Sequence, residues 1–203
     1  LKYDCFLGRG YGVSACAKLY NNNFIKTIGL KFEKNNEIFA EDRLFNLKCY
    51  TYDPKISLIN EAVYIYCINN TSITQTYKPF LSERYLALLE NFHNHITTLN
   101  KLEEYRDLLD FTSFNAISVT CANTYRYSEE QYLEMKKEIK YLMQSYIVRQ
   151  MIDDFTKGRY LSEINSNSWG HFARIYALML KNNLINLATI MQLLRFKLRY
   201  KGQ

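Results

Sequence analysis

The sequence predicts an α+β chain that is mostly α. Two features carry that reading: a β-branched and aromatic run in the first third, and a helical periodicity that sets in after Lys78-Pro79 and persists. Before Lys78, short apolar runs alternate with turn-forming clusters such as Asn21-Asn22-Asn23 and Asn35-Asn36. The run Ala62-Val63-Tyr64-Ile65-Tyr66-Cys67-Ile68 ends at Asn69-Asn70 and reads as a strand. Phe39 to Tyr50 reads as a short helix, with Leu44, Leu47 and Lys48 at helical spacing from Ala40 and Glu41.

Beyond Pro79, Ser82 is placed to cap a helix whose apolar stripe is Leu86, Leu89, Phe92, Ile96, Leu99 and Leu102. A less regular helix covers 111–125. Ser128, followed by Glu129, Glu130 and Gln131, reads as a capping box. It opens a long helix with Tyr132, Met135, Ile139, Leu142 and Tyr146 on one face, stopped by Gly158. A loop at 165–170 leads to helices near 171–181 and 184–200, joined at Asn182-Asn183. The change of character predicts one domain over 1–79 and an all-helical one over 80–203.

The 203 residues are 48% apolar and 23% charged, the balance of a soluble globular protein able to bury a sizeable core. Two Pro and seven Gly argue against long disordered linkers. The most apolar stretch, Leu184 to Phe196, is interrupted by Asn186, Thr189, Gln192 and Arg195 and is too short to cross a bilayer. The opening Leu1-Lys2-Tyr3-Asp4-Cys5 lacks both a leader-like apolar run and a starting Met, so the chain is expected to belong to something longer. The odd set Cys5, Cys16, Cys49, Cys67 and Cys121, with no C-x-x-C spacing, supports neither a zinc site nor a disulfide framework and points to a reducing cytoplasm.

The net charge of +6 is unevenly placed. Residues 1–163 are neutral, whereas 164–203 carry Arg174, Lys181, Arg195, Lys197, Arg199 and Lys201 and no acid. Such a tail suits an acidic partner. Two readings of 184–201 stand side by side: a core helix with basic residues at its C-terminal end, or a peripheral contact with the inner face of a membrane. No RNA-binding motif accompanies the interleaved Tyr and Lys, so nucleic acid is not an expected partner.

The residues that carry chemistry lie between 14 and 74. They run Ser14-Ala15-Cys16-Ala17-Lys18-Leu19-Tyr20, Phe24-Ile25-Lys26, Gly29-Leu30-Lys31-Phe32, Ala40-Glu41-Asp42-Arg43-Leu44-Phe45-Asn46, Val63-Tyr64-Ile65-Tyr66 and Asn70-Thr71-Ser72-Ile73-Thr74. In this order they resemble the bacterial family 2 glycosyltransferases of GT-A fold. There a K-L-Y segment, a basic-apolar helix, G-l-x-F, E-D-x-x-F, a Y-x-Y strand and an N-x-S-I-T turn follow one another. The resemblance covers about residues 10–78. Cys16 stands where the family often has Trp, and Cys67 where it often has Arg.

The resemblance implies the C-terminal portion of a GT-A catalytic domain, with short strands and helices, ahead of the helical tail. It implies transfer of a sugar from a nucleotide-diphosphate donor to a surface-polysaccharide or glycolipid acceptor, with inversion. Asp42 takes the part of general base, and Glu41, Lys18, Tyr20 and Arg43 that of substrate-binding residues. The chemistry is coherent: the acceptor hydroxyl must lose a proton as it attacks, and a carboxylate within hydrogen-bond reach is the usual base. The rival reading of Glu41 and Asp42 is that they only start the helix, where the dipole favours negative charge.

A divalent metal, Mn or Mg, and the donor are expected to bind a preceding half. No Asp-x-Asp occurs in this chain, and Asp153-Asp154 reads as a solvated helix face. The surface meant for that half would promote self-association. A helical interaction or membrane-docking module without chemistry, and a pseudoenzyme scaffold, are the alternatives. His93, His95 and His171 read as structural, since two His two apart on a helix point away from each other. Gly8-Arg9-Gly10-Tyr11-Gly12 lacks the Lys-Ser/Thr of a phosphate loop.

Overall fold

The computed structural model describes residues 14–65, 67, 76–159 and 167–200. All regular structure among them is helical: α1 (Asn22–Thr27), α2 (Glu41–Tyr50), α3 (Leu81–Thr98), α4 (Arg106–Tyr127), α5 (Gln131–Leu142), α6 (Tyr146–Thr156), α7 (Asn167–Lys181) and α8 (Ile185–Arg199). This overturns the α+β expectation and the GT-A portion with short strands. Ala62 to Ile65 form no strand and lie open to solvent, with Val63 67% and Ile65 84% exposed. A strand needs a neighbouring strand to take its N–H and C=O groups. The described residues place no second strand beside this run. Tyr66 and 68–75 fall outside the described residues, as do Gly8 to Gly12.

The helix α4 is the centre. It packs against α3, α5, α6 and α8. Leu108, Leu109, Phe111, Phe114, Ala116, Ile117 and Cys121 are all buried, and so are Thr112, Ser113, Thr120 and Thr124. Burial on every side is why its sequence shows so little periodicity. Two of its hydroxyls are satisfied within the helix: Thr112 donates to the Leu108 carbonyl at 2.6 Å and Ser113 to that of Leu109 at 2.8 Å. Phe114 anchors an aromatic cluster, with ring centroids 5.3 Å from both Phe155 and Trp169 and 6.1 Å from Tyr176.

Charge is buried here too. Arg106 reaches Asp110 one turn along α4 and Asp154 on α6, each at 3.4 Å, and Arg159 adds a contact to Asp154 at 3.5 Å. Asp154 is thus buried, correcting the solvated face, although its neighbour Asp153 is half-exposed and pairs with Lys181 at 2.7 Å.

Several helix ends differ from their sequence signals. Phe80, in left-handed backbone, precedes α3, while Ser82 lies inside the helix and is buried. Its N–H donates to the Glu138 carboxylate of α5 at 3.0 Å, so a neighbouring helix supplies the cap. The expected long helix after Ser128 is two helices, broken at Met143, Gln144 and Ser145. The buried stripe of α5 is Met135, Glu138, Ile139 and Leu142, whereas that of α6 is Ile147, Val148, Met151, Ile152 and Phe155. Continuing the first stripe would bury Tyr146 and Arg149, which are exposed. The break re-phases the chain. Gly158, at φ +75°, ends α6 as its sequence position suggests. Asn183, at φ +58°, makes the turn between α7 and α8.

The helix α2 docks on α3, with Ile38, Leu44 and Leu47 in the same buried cluster as Tyr85, Leu88 and Leu89. Lys101 donates to the Thr51 carbonyl at 2.7 Å and to Asp53 at 3.0 Å. His95 of α3 meets the Thr51 hydroxyl at 2.8 Å. Asn123 of α4 clamps the backbone of Lys78, accepting from its N–H at 3.2 Å and donating to its carbonyl at 2.9 Å. No helix among the described residues is long and apolar enough to cross a membrane.

Two outcomes follow for stability. Arg106→Leu leaves the Asp110 and Asp154 carboxylates buried without their shared cation, and urea unfolding is expected to show a loss of about 3–5 kcal/mol. Burial, aided by the charge of Lys48, holds the His95 imidazole below its ordinary 6.5. The unfolded chain therefore binds the extra proton first. The stabilisation from neutral His95 is complete above pH 6.5 and is lost as pH falls from there toward the folded value. Unfolding curves across that window should show wild type weakening more steeply on acidification than His95→Gln.

Candidate functional site

The segment 14–34 wraps α2. Phe32 stacks on Phe45 with centroids 4.0 Å apart, and Tyr20 meets the same ring edge-on at 5.3 Å. Lys48 donates to Glu33 at 2.9 Å, which draws the Glu33 carboxyl below its usual range. These contacts bring the K-L-Y segment to the acidic start of α2. The Tyr20 hydroxyl donates to Asn46 Oδ1 at 2.9 Å, and Asn46 Nδ2 donates to the Asp42 carbonyl at 3.0 Å. Asn46 thus couples Tyr20 to the helix turn that carries Asp42. Burial pushes the Tyr20 phenol up to about 12, so it stays protonated as a donor at any ordinary pH.

Asp42 and Glu41 stand in the first turn of α2, both half-buried, after Ala40 in left-handed backbone. No side chain caps this helix from the N-cap position. Instead the Asp42 carboxylate accepts from the Arg43 N–H at 2.7 Å. One Asp42 oxygen therefore serves the helix start, which is the structural role the sequence offered as rival.

The Asp42 charge also acts on Cys16, on Tyr20 and on the fully buried phenol of Tyr85. Lys18 donates to the Ser14 carbonyl, and its charge acts on Cys16 as well. Hydrogen bonds from Ser14 and Tyr64 pull the Cys16 thiol below its usual range. Cys16 thus lies within electrostatic reach of Lys18, Tyr20 and Asp42, and Tyr64 of the exposed 53–65 segment hydrogen-bonds to it.

The Arg43 charge, like that of Asp42, acts on Tyr85 of α3, and the Arg43 Nε is buried with no hydrogen-bond partner. A groove of about 450 Å³ is lined by Asn36, Glu37, Pro79, Phe80, Glu83 and Arg84. Lys78 and Arg84 both lie over the Phe39 ring, at 5.7 and 5.4 Å. A larger groove, about 520 Å³, lies between α7 and α8 and shares no residue with Asp42 and its neighbours.

Sequence reasoning assigned no role to Asn46, Tyr64 or Cys16. The signal for Asn46 was its position one turn after Asp42, which puts both on one helix face. Tyr64 was marked only as part of the Val63-Tyr64-Ile65-Tyr66 run. His93 meets the Tyr146 hydroxyl at 2.8 Å and His95 meets Thr51, so both have structural partners. Cys49 and Cys121 are buried thiols, whereas Cys16 and Cys67 are exposed. Among the described residues, no group of three His, Cys, Asp or Glu converges to hold a metal.

Two curated proteins of Bacillus subtilis (strain 168) are similar to this chain. EpsH, whose name gives glycosyltransferase as an unproven assignment, is 35% identical over 94 residues, 46% of this chain and 27% of its own length. EpsJ, named an uncharacterized glycosyltransferase, is 28% identical over 139 residues, 66% of this chain and 39% of its own. The chain thus spans between about a quarter and two fifths of the relatives it matches. No family model and no solved structure matches it.

Asn46→Ala removes the acceptor of the Tyr20 hydroxyl and the donor to the Asp42 carbonyl together. Denaturant unfolding should show a loss of about 1–3 kcal/mol. Asn46→Asp, which keeps the acceptor, should lose less.

Proposed function

We propose that this chain is the acceptor-side part of a family 2 glycosyltransferase, with residues 1–79 contributing to the transfer site and 80–203 forming its helical support. Its likeness to two glycosyltransferase-named proteins supports the reaction class. The single structural observation that supports the site assignment is the hydrogen-bonded link from the Tyr20 hydroxyl through Asn46 to the Asp42 carbonyl in the first turn of α2.

In this reading the Asp42 carboxylate takes the proton from the acceptor hydroxyl while that oxygen bonds the anomeric carbon. The sugar–phosphate bond breaks on the opposite face, its electron pair leaves with the nucleotide diphosphate, and configuration inverts. Tyr20, whose one proton goes to Asn46, accepts from an acceptor hydroxyl, and Lys18 offsets negative charge. Glu41 and Arg43 border the acceptor. The acceptor is a surface polysaccharide or a glycolipid, met in the cytoplasm. The nucleotide sugar and the Mn or Mg ion that steadies its diphosphate belong to residues outside this chain. Exposed Leu19, Phe32, Leu58, Ile59 and Val63 offer an apolar surface for that other part.

The experiment is Asp42→Asn in the longer protein. The amide that replaces the carboxylate retains an oxygen to accept the Arg43 N–H, so unfolding free energy should change by about 0.5 kcal/mol or less. Turnover should fall by roughly 10²–10⁴-fold with donor affinity unchanged. Turnover near wild type in a folded variant would remove Asp42 from the role of base.

A further inference from the structure

The two sequence readings of the C-terminal helix both find a place on α8, on opposite faces. One side packs inward: Ala188, Thr189, Gln192 and Phe196 are buried, and α8 lies on α5 and α4. The other side is apolar and open. Leu187, Ile190, Leu194 and Leu198 are all exposed, Leu194 at 56% and Leu198 at 74%. At 100° per residue these four fall within one narrow stripe, directly opposite the buried one. Beside them α7 exposes Ile175 and Leu178, and between the helices runs the groove lined by Trp169, Phe172, Met191, Leu194, Arg195 and Leu198. A contiguous apolar face of this kind on a soluble surface marks a contact site.

The charges around it choose the partner. Lys197 flanks the stripe on one edge and Arg195 on the other, with Arg199 beyond and Arg174 on α7. Arg195 is held in place, its guanidinium 4.6 Å over the Phe172 ring and 3.1 Å from the Ser118 hydroxyl. Residues 164–203 contain no carboxylate. The nearest acid bonded to these helices, Asp153, is already paired with Lys181. A second copy seated on this face would bring the same cations together with no acid to offset them, which an isologous interface cannot sustain. An apolar stripe edged by cations fits a surface that is oily beneath and anionic above.

The geometry points to α7 and α8 as a docking face for an anionic lipid bilayer. The α8 axis lies in the membrane plane, Leu187, Ile190, Leu194 and Leu198 enter the headgroup boundary, and Lys197 and Arg195 at its two edges meet lipid phosphates. The contact is reversible and salt-sensitive, since it rests on one helix face and a few cations. It uses no residue of 14–65 and stands or falls apart from the transfer reaction.

The test is co-sedimentation of the 203-residue chain with phosphatidylcholine vesicles, with and without phosphatidylglycerol, at low and high salt. Binding is expected on phosphatidylglycerol vesicles at low salt and should be released at high salt. Each cation near the surface contributes about fivefold, so Lys197→Gln should weaken binding about fivefold on anionic vesicles. Leu194→Ser with Leu198→Ser should abolish binding while circular dichroism stays unchanged. If that pair loses helix, Leu198→Ser alone decides, being the most exposed position of the stripe. Equal binding to neutral and anionic vesicles, no binding to either, or indifference to both sets of substitutions overturns the proposal. So does a lipid-free dimer, seen by sedimentation equilibrium, that Leu198→Ser dissociates.

Discussion

A guanidinium held between two carboxylates governs how the helices assemble. Arg106 starts α4, and it can be buried only while Asp110 on its own helix and Asp154 on α6 stay within charge contact. Sliding α6 along α4 by a turn would still find apolar partners, because both helices are greasy over much of their surface. It would part Asp154 from Arg106 and leave that buried guanidinium with Asp110 alone. Apolar burial drives the packing but accepts many registers, whereas an ion cluster in a dry site accepts very few. The rest follows in order: α6 fixes α7; α4, α5 and α7 fix α8; and the aromatic cluster around Phe114 packs α4 against α6 and α7.

Helices with one wet face were legible in the sequence, and so were turns marked by residues that tolerate left-handed backbone. Tyr50 ends α2 as its pattern suggests, and Asn183 and Gly158 mark the ends of α7 and α6. The central helix was the least legible, because burial on all sides removes the periodicity that announces a helix. Asp154 was misjudged for a related reason: its partner Arg106 lies far off in sequence, and pairing at that range leaves no local trace. The starts of α2 and α3 use Ala40 and Phe80 in left-handed backbone, where capping rules look for Ser, Thr, Asp or Asn. The run at Ala62–Ile65 has strand composition, but composition states only what a segment would do beside a partner.

The candidate site was legible through motif order and not through geometry. Asp42, Lys18 and Tyr20 were singled out by resemblance, and the structure adds a link between two of them, from Tyr20 through Asn46 to the Asp42 carbonyl. Phe45 serves as the platform for Tyr20 and Phe32, and Asn46 is the hinge pin between Tyr20 and the first turn of α2. Arg43 was grouped with them by the same resemblance, and its charge, like that of Asp42, acts on Tyr85 of α3.

The stretch 53–65 has no regular structure and is largely exposed, so a protease would cut there before anywhere in the helices. The two pieces would not fall apart at once. Ile38, Leu44 and Leu47 would remain seated against Tyr85, Leu88 and Leu89, and Lys101 would still grip the Thr51 carbonyl. The covalent link at 53–65 therefore contributes little to the cohesion of the assembled state. Its service is to encounter: it keeps α2 at high effective concentration beside α3, and a nicked chain would hold its shape while losing the ability to regain it quickly once dispersed.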